Sequence, residues 1–250
     1  MTRKPGKHTP YFELLEAQDK AGCPICRLVY QVVDHYLDSV LYEAVLDPDV
    51  RAELKAARGF CEEHVRMLYS KPGRALGIAL IYRDIIRETA DVAEEVRHGG
   101  AASLLGKVLG KDWASSPSLR RLETSESCPA CVVAQRAEDD YLGLLVAYLD
   151  DEEFHEAYAQ GEGLCLPHFL QALGRAKDDA SVERLVRPQV ARYRAMLSDL
   201  DEFIRKRDHR FRHEKYGGEG DVWLRAMNAI VGGAGMGLSA ASGGRRSDDL

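Results

Sequence analysis

Six cysteines and two histidines of this chain fall into one pattern written twice. The first copy reads Cys23-Pro24-Ile25-Cys26, then Gly59-Phe60-Cys61-Glu62-Glu63-His64. The second reads Cys128-Pro129-Ala130-Cys131, then Gly163-Leu164-Cys165-Leu166-Pro167-His168. No cysteine lies outside it. A Cys-x-x-Cys pair puts two thiolates on one tight turn, close enough to share a tetrahedral ion, and Cys-x-x-His adds a third sulfur and an imidazole one helical turn apart. Four such donors suit Zn²⁺, and a full set of four leaves no open position for water, which is the arrangement of a structural rather than a catalytic ion. The candidate ligands are therefore Cys23, Cys26, Cys61, His64, Cys128, Cys131, Cys165 and His168, for two Zn²⁺ per chain. Two alternatives belong to a different class, an iron–sulfur cluster held by three cysteines and a histidine and thiol redox chemistry at the CPxC pairs.

The repeat extends past the ligands. Asp34, Tyr36 and Leu37 recur as Asp139, Tyr141 and Leu142, at the same offset of about 105 as the first cysteine pair, which defines two copies of a unit of roughly a hundred residues. Each copy reads as helical. Val29, Val32, Val33, Tyr36, Val40, Leu41 and Ala44 recur at three- and four-residue spacing, as do Ala134, Ala137, Tyr141, Leu144, Leu145 and Tyr148. Asp47-Pro48 starts a second helix running to about Arg58, with Gly59 at its end, and Asp150 or Asp151 starts its counterpart, closed by Gly161 or Gly163. Longer helices follow over about 77–97 and 181–207. No strand alternation appears. The expected fold is all-α, with two duplicated helical units, each with a Cys3His metal site at helix ends. The units span 10–97 and 119–231, joined by a connector over 98–118 and followed by a disordered tail over 232–250 whose GxGxG follows no strand and is no nucleotide fingerprint.

Helix lengths raise a question of pairing. A first helix of about 20 residues spans roughly 30 Å and a second of about 11 returns only roughly 16 Å, so a plain hairpin leaves Cys61 short of Cys23 and Cys26. Either the long helix bends or ends early, or the ligand pairs are exchanged, CPIC meeting Cys165 and His168 and CPAC meeting Cys61 and His64. Closure within one copy is the favoured arrangement.

The doubled CPxC…GFCxxH pattern resembles an uncharacterised bacterial family of helical proteins. The resemblance covers most of residues 10–231, including Phe203-Ile204-Arg205-Lys206 to Asp208-His209-Arg210-Phe211 and Gly220-Asp221-Val222-Trp223-Leu224-Arg225. It implies the fold and metal ligation but no reaction. CPxC also looks like the glutaredoxin motif, whose βαβ context is missing, and like half of a zinc knuckle, from which the chain departs at Arg27 and Val132.

Other residues carry blander readings. His35 and His155 read as helix-surface histidines, and Glu62 and Glu63 as solvated carboxylates in a first helical turn rather than groups that tune a metal. The basic run from Arg205 to His213 reads first as a solvated helix end, and second as a contact for phosphate or an acidic partner. Trp223, Leu224, Met227, Ile230 and Val231 form a short amphipathic helix that docks on the body.

Composition fits this picture. The chain has 250 residues, 45% hydrophobic and 30% charged, with a formal net charge of −6. That charge argues against nonspecific nucleic-acid binding. The N-terminus carries basic residues with no apolar segment behind them, and no stretch of about 20 apolar residues exists to span a membrane. The expected setting is the cytoplasm, where thiols stay reduced. Without a nucleophile elbow, P-loop, HExxH or triad, the expected role is protein interaction or regulation rather than catalysis. An enzyme with its site near Arg205–Arg225 is a weaker reading.

Overall fold

The computed structural model describes residues 7–101, 120–124 and 126–233. Among these the protein is entirely helical. The helices are α1 (Thr9–Gln18), α2 (Pro24–Tyr42), α3 (Pro48–Ala56), α4 (Glu62–Tyr69), α5 (Ala75–Ala101), α6 (Pro129–Tyr148), α7 (Glu152–Gln160), α8 (Leu166–Arg175), α9 (Asp179–Arg207) and α10 (Val222–Val231), with a 3₁₀ turn at His209–Phe211. Helix α1 was not foreseen from the sequence, and α5 runs past Arg97 to Ala101. The remainder of the expected connector, and the tail from residue 234, lie outside the described residues.

The caps are chemical. Asp47 accepts hydrogen bonds from the backbone N–H of Asp49 (2.9 Å) and Val50 (3.0 Å) at the start of α3, where Pro48 has no N–H to be satisfied. Asp151 accepts from Phe154 N–H (3.2 Å) at the start of α7. Asp178 does the same for α9 through Ser181 N–H (2.8 Å). Each satisfies a donor that a helix start leaves orphaned.

Two compact units form, and they are not the two sequence repeats. The first comprises Met1–Gln31 with Gln135–Leu250, the second Val32–Ala134. In the first, α7 packs against α1 and α9, and α8, α9 and α10 pack on one another. Its core contains Leu14, Leu142, Leu145, Leu149 and an aromatic group in which Tyr11 and Tyr148 have ring centroids 4.7 Å apart, with Phe154 beside both. The Tyr11 hydroxyl donates to Asp151 (3.1 Å), so the same carboxylate that caps α7 also anchors α1. In the second unit, α3 packs on α5, and Val33, Leu37, Val40, Leu54, Leu68, Ile81 and Ile85 are buried. Leu37 and Leu142, repeat counterparts, are both wholly buried.

Another repeated pair shows what fixes the helices after each Cys-x-x-His. Lys71, just beyond α4, has a buried side chain and pairs with Asp34 (2.6 Å) and Asp38 (2.8 Å) of α2. Its counterpart Arg175, at the end of α8, pairs with Asp139 of α6. Each of these helices is thus tied to the middle of the long helix of its own repeat.

Helix α10 docks through Val222, while Trp223, Met227, Ile230 and Val231 face outward. Most of the apolar stripe expected to bury itself is therefore exposed.

Glycines after the short helices carry part of the geometry. Gly163 has φ +79, and a Cβ there would stand 2.6 Å from Arg192 Nη1 and 2.8 Å from Gln189 Oε1. Gly59 has φ +91, with Tyr82 ring atoms at 3.0 Å. Left-handed backbone costs an L-residue about 1–2 kcal/mol before any clash. Gly163→Ala is therefore expected to destabilise the protein by about 1–3 kcal/mol. Gly143→Ala, in the exposed middle of α6 with open space around it, is expected to stabilise by about 0.5–1 kcal/mol. Denaturant midpoints of the two variants check this.

Candidate metal centres

Each ligand pair sits on the first turn of a helix. Pro24 begins α2 directly after Cys23, and Cys26 follows in that turn; Cys128, Pro129 and Cys131 repeat this at α6. Cys61 is the N-cap of α4 and Cys165 the N-cap of α8, both in extended conformation with no side-chain cap hydrogen bond, and His64 and His168 lie one turn on. The Cys61 carbonyl accepts from Val65 N–H (2.9 Å) and the Cys165 carbonyl from Phe169 N–H (2.8 Å), so both helices are wound from the cysteine itself. The thiol is left to point forward into the cluster.

The structure gathers the eight side chains into two groups, Cys23, Cys26, Cys165 and His168, and Cys61, His64, Cys128 and Cys131. In each, the four ligand atoms lie within 4.8 Å of one another and could hold a metal ion. The pairing is the exchanged one. Each CPxC meets the Cys-x-x-His of the other repeat, which corrects the expectation of closure within one copy. The physical reason lies in helix length: α2 runs unbroken for 19 residues and α3 for only 9, so at about 1.5 Å per residue α3 returns about half of the length of α2 and leaves Cys61 short of its own repeat's CPxC. Each exchanged set falls within one compact unit, the first in Met1–Gln31 with Gln135–Leu250, the second in Val32–Ala134.

The first cluster is deeply set. Cys23, Cys165 and His168 are buried. His168 Nδ1 stands 3.3 Å from Cys23 Sγ, 3.3 Å from Cys26 Sγ and 3.2 Å from Cys165 Sγ, and Cys26 and Cys165 sulfurs are 3.8 Å apart. The other ring nitrogen, Nε2, is 3.0 Å from Glu138 Oε1. A carboxylate behind a ligating imidazole fixes its tautomer and ring plane. Glu138 is itself held by Gln171 Nε2. The Gly163-Leu164-Cys165 segment is clamped by buried Gln189, whose Nε2 donates to the Leu164 carbonyl (2.9 Å) and whose Oε1 accepts from Leu164 N–H (3.1 Å). The end of α10 closes the outer side. Gly233 N–H donates to Cys26 Sγ (3.3 Å), and a Cβ on Gly232 (φ +92) would lie 3.4 Å from Cys26 Sγ and 3.5 Å from Cys165 Sγ. The first two residues of the expected tail therefore belong to this site.

The second cluster is looser. His64 is buried, but Cys61, Cys128 and Cys131 are only half-buried. His64 Nδ1 is 3.1 Å from Cys61, 3.6 Å from Cys128 and 3.5 Å from Cys131, and Cys61 and Cys131 sulfurs are 3.6 Å apart. Tyr82 steadies the loop, its hydroxyl accepting from Phe60 N–H (3.3 Å). The repeat counterpart of Glu138 is Val33, so no carboxylate stands at that place.

Crowded thiols resist ionising together. Burial raises the Cys23 pKa, but hydrogen bonds with Cys165, Cys26 and His168 outweigh it and bring it well below the ordinary thiol value. Hydrogen bonds with Cys165 and Cys23, then burial, push Cys26 up. Burial and then Cys61 raise Cys131 to about 12. Burial lowers the His168 pKa, yet contacts with the Cys165 and Cys23 sulfurs overcome it and lift it to about 10, whereas at His64 burial wins and the pKa falls. Three sulfurs this close ionise together only when a cation joins them.

Sequence reasoning missed Glu138, Gln189 and the Gly232-Gly233 cap, none of which belongs to the repeated motif. His35 is exposed and Glu62 and Glu63 are exposed in the first turn of α4, as the bland readings had it. His155 is half-buried rather than on the surface.

Fold and site thus define an all-helical protein with two Cys3His clusters. The chain belongs to the family described as "Family of unknown function (DUF6062)", which matches residues 10–236. It is 24% identical over 221 residues to a protein of Caldicellulosiruptor sp. (strain Rt8B.4) described as "Uncharacterized 23.9 kDa protein in xynA 3'region", covering 88% of this chain and 99% of that one. No solved structure matches it. Among the described residues no helix is long and apolar enough to cross a membrane.

The difference in burial sets an order of reactivity. Under native conditions iodoacetamide is expected to label half-buried Cys61 and Cys128 before Cys23 and Cys165, where burial withholds the sulfur from the reagent whatever its ionisation. Time-resolved peptide mass spectrometry reads the order directly.

Proposed function

We propose that this protein is a helical scaffold stapled by two structural zinc ions, one held by Cys23, Cys26, Cys165 and His168 and the other by Cys61, His64, Cys128 and Cys131. One observation carries the reading. Bonds of about 2.3 Å to sulfur and about 2.0–2.1 Å to nitrogen give a zinc tetrahedron with edges of about 3.8 Å between sulfurs and about 3.6 Å from sulfur to nitrogen. One sulfur pair in each set, at 3.8 and 3.6 Å, and the sulfur–nitrogen pairs from 3.1 to 3.6 Å stand near those edges, and all four ligand atoms of each set lie within 4.8 Å of one another. Such spacing suits one ion. In a multi-iron cluster the ligands bind singly or in pairs to separate irons, so one nitrogen would not stand within 3.6 Å of all three sulfurs as His168 and His64 do. The spacing is also too wide for a disulfide, whose sulfurs bond at about 2.05 Å.

Four protein ligands leave no place for substrate, which supports a structural role. The outward stripe of Trp223, Met227, Ile230 and Val231 on α10 supports the remainder of the reading, a surface offered to a protein partner in a regulatory or assembly role. The compartment we propose is the cytoplasm, where free thiols persist for metal.

Elemental analysis of the purified protein is expected to return about two zinc ions per chain and no visible absorption. A brown protein with iron, or a metal-free one whose CPxC pairs cycle with dithiols, would overturn the reading. Stripping the metal with a strong chelator is expected to collapse the helical circular dichroism signal, since structural zinc contributes about 10–16 kcal/mol of apparent binding energy to small folds. Glu138→Gln is expected to weaken zinc at the first site by about 10–100-fold and leave the second unchanged. Chelator competition followed site by site through cysteine labelling tests it.

A further inference from the structure

The C-terminal turn of α9 and the loop of residues 212–216 line a half-open concavity of about 680 Å³, within the size range of small-molecule pockets. Internal bonds hold its frame. Arg205 bridges Glu202 and Glu214, and Lys206 donates to Glu219 (2.6 Å) and to the Lys215 carbonyl (3.0 Å). Glu219 accepts from Gly217 N–H (2.9 Å), and Asp208 accepts from Arg210 N–H (2.9 Å).

Those contacts consume most of the charge in the segment, but not all of it. Glu214, the one carboxylate lining the pocket, is answered by Arg205, and Lys206 by Glu219. Arg207, Arg212 and Lys215 also line it, and among the described residues none of the three is in an ion pair. Arg207 is nonetheless held in place, its guanidinium lying 5.2 Å from the Phe203 ring centroid and 5.8 Å from that of Tyr216, rings that stack on each other at 5.4 Å. An arginine positioned by aromatic faces with its charge unanswered presents a planar fork suited to phosphate oxygens. In a chain of net charge −6, three uncompensated cations converging on one cavity are a local feature rather than a general basicity.

We propose that this pocket binds the oligophosphate group of a small anionic molecule, with Arg207, Arg212 and Lys215 as its charged contacts. A nucleic acid is the less fitting partner, because the free cations are confined to one cavity and tight strand binding uses about 6–10 phosphate contacts along a track.

The test titrates the purified, metal-loaded full chain with inorganic pyrophosphate by calorimetry at constant ionic strength. One saturable site is expected. The triple variant R207Q/R212Q/K215Q is expected to keep its metal content and helical circular dichroism, to lose only the small stability of the Arg207 ring contacts, and to bind at least about tenfold more weakly, as loss of charge-assisted hydrogen bonds predicts. Heat from extraction of metal by pyrophosphate would persist in the variant and so is separable. No saturable binding by the unaltered chain, or equal binding by the variant, overturns the proposal. So does displacement of pyrophosphate by a single-stranded oligonucleotide whose affinity falls with salt more steeply than three phosphate contacts allow, at about −0.7 per contact.

Discussion

Everything about the two centres depends on one constraint, that each ligand pair occupies the first turn of a helix. A residue at the N-cap and another three positions on point the same way, and the backbone N–H groups of that turn have no partner within the helix. Two such starts facing each other supply four donors and two positive dipole ends. That environment favours thiolate over thiol and would partly offset the excess negative charge of three sulfurs gathered around a metal ion. The proline after Cys23 and Cys128, like Pro167 after Leu166, falls where a missing N–H costs nothing. The same four-residue geometry thus serves a Cys–Cys pair and a Cys–His pair alike, which is why one repeat supplies both kinds of half-site.

Much of this was legible in the sequence because ligand type and spacing are local properties. The eight ligand positions, the Asp47 cap, a cap at Asp150 or Asp151 and the helical periodicity follow from short-range rules, and the structure gathers the eight in two groups of four. Pairing was another matter. It depends on how far the short helices α3 and α7 carry the chain back along α2 and α6 and on which CPxC turn then lies within reach, a tertiary outcome that local spacing does not encode. The helix-length mismatch showed that a plain hairpin would fail but could not choose the remedy. Glu138 was hidden for a related reason. It stands on a helix far from the ligands in sequence, and its repeat counterpart is Val33, so the duplication that revealed the ligands concealed their support. The outward stripe of α10 misled because an apolar face looks the same whether it meets its own core or another surface.

The two centres share a ligand set and differ in almost everything around it. The first has a carboxylate behind its imidazole, an amide clamp on its loop and a glycine cap whose N–H reaches a sulfur. The second has half-buried sulfurs and a tyrosine hydroxyl holding its loop. Solvent access and hydrogen bonds to sulfur govern how fast a bound ion exchanges and how readily a thiolate is oxidised. Duplication therefore produced two environments of unequal permanence from one motif.

The exchange of ligand pairs has a consequence for the two copies. In this arrangement a single repeat does not complete a four-ligand set with its own residues, since its short second helix does not bring its Cys-x-x-His back to its own CPxC. Two copies of it do, each lending its CPxC to the other's Cys-x-x-His. The pairing is therefore reciprocal, and joining the copies in one chain keeps each CPxC at a fixed effective concentration for the other's Cys-x-x-His. Once joined, the copies were free to diverge. The carboxylate at 138 and the valine at 33 record that freedom, a difference that two identical chains could never have held.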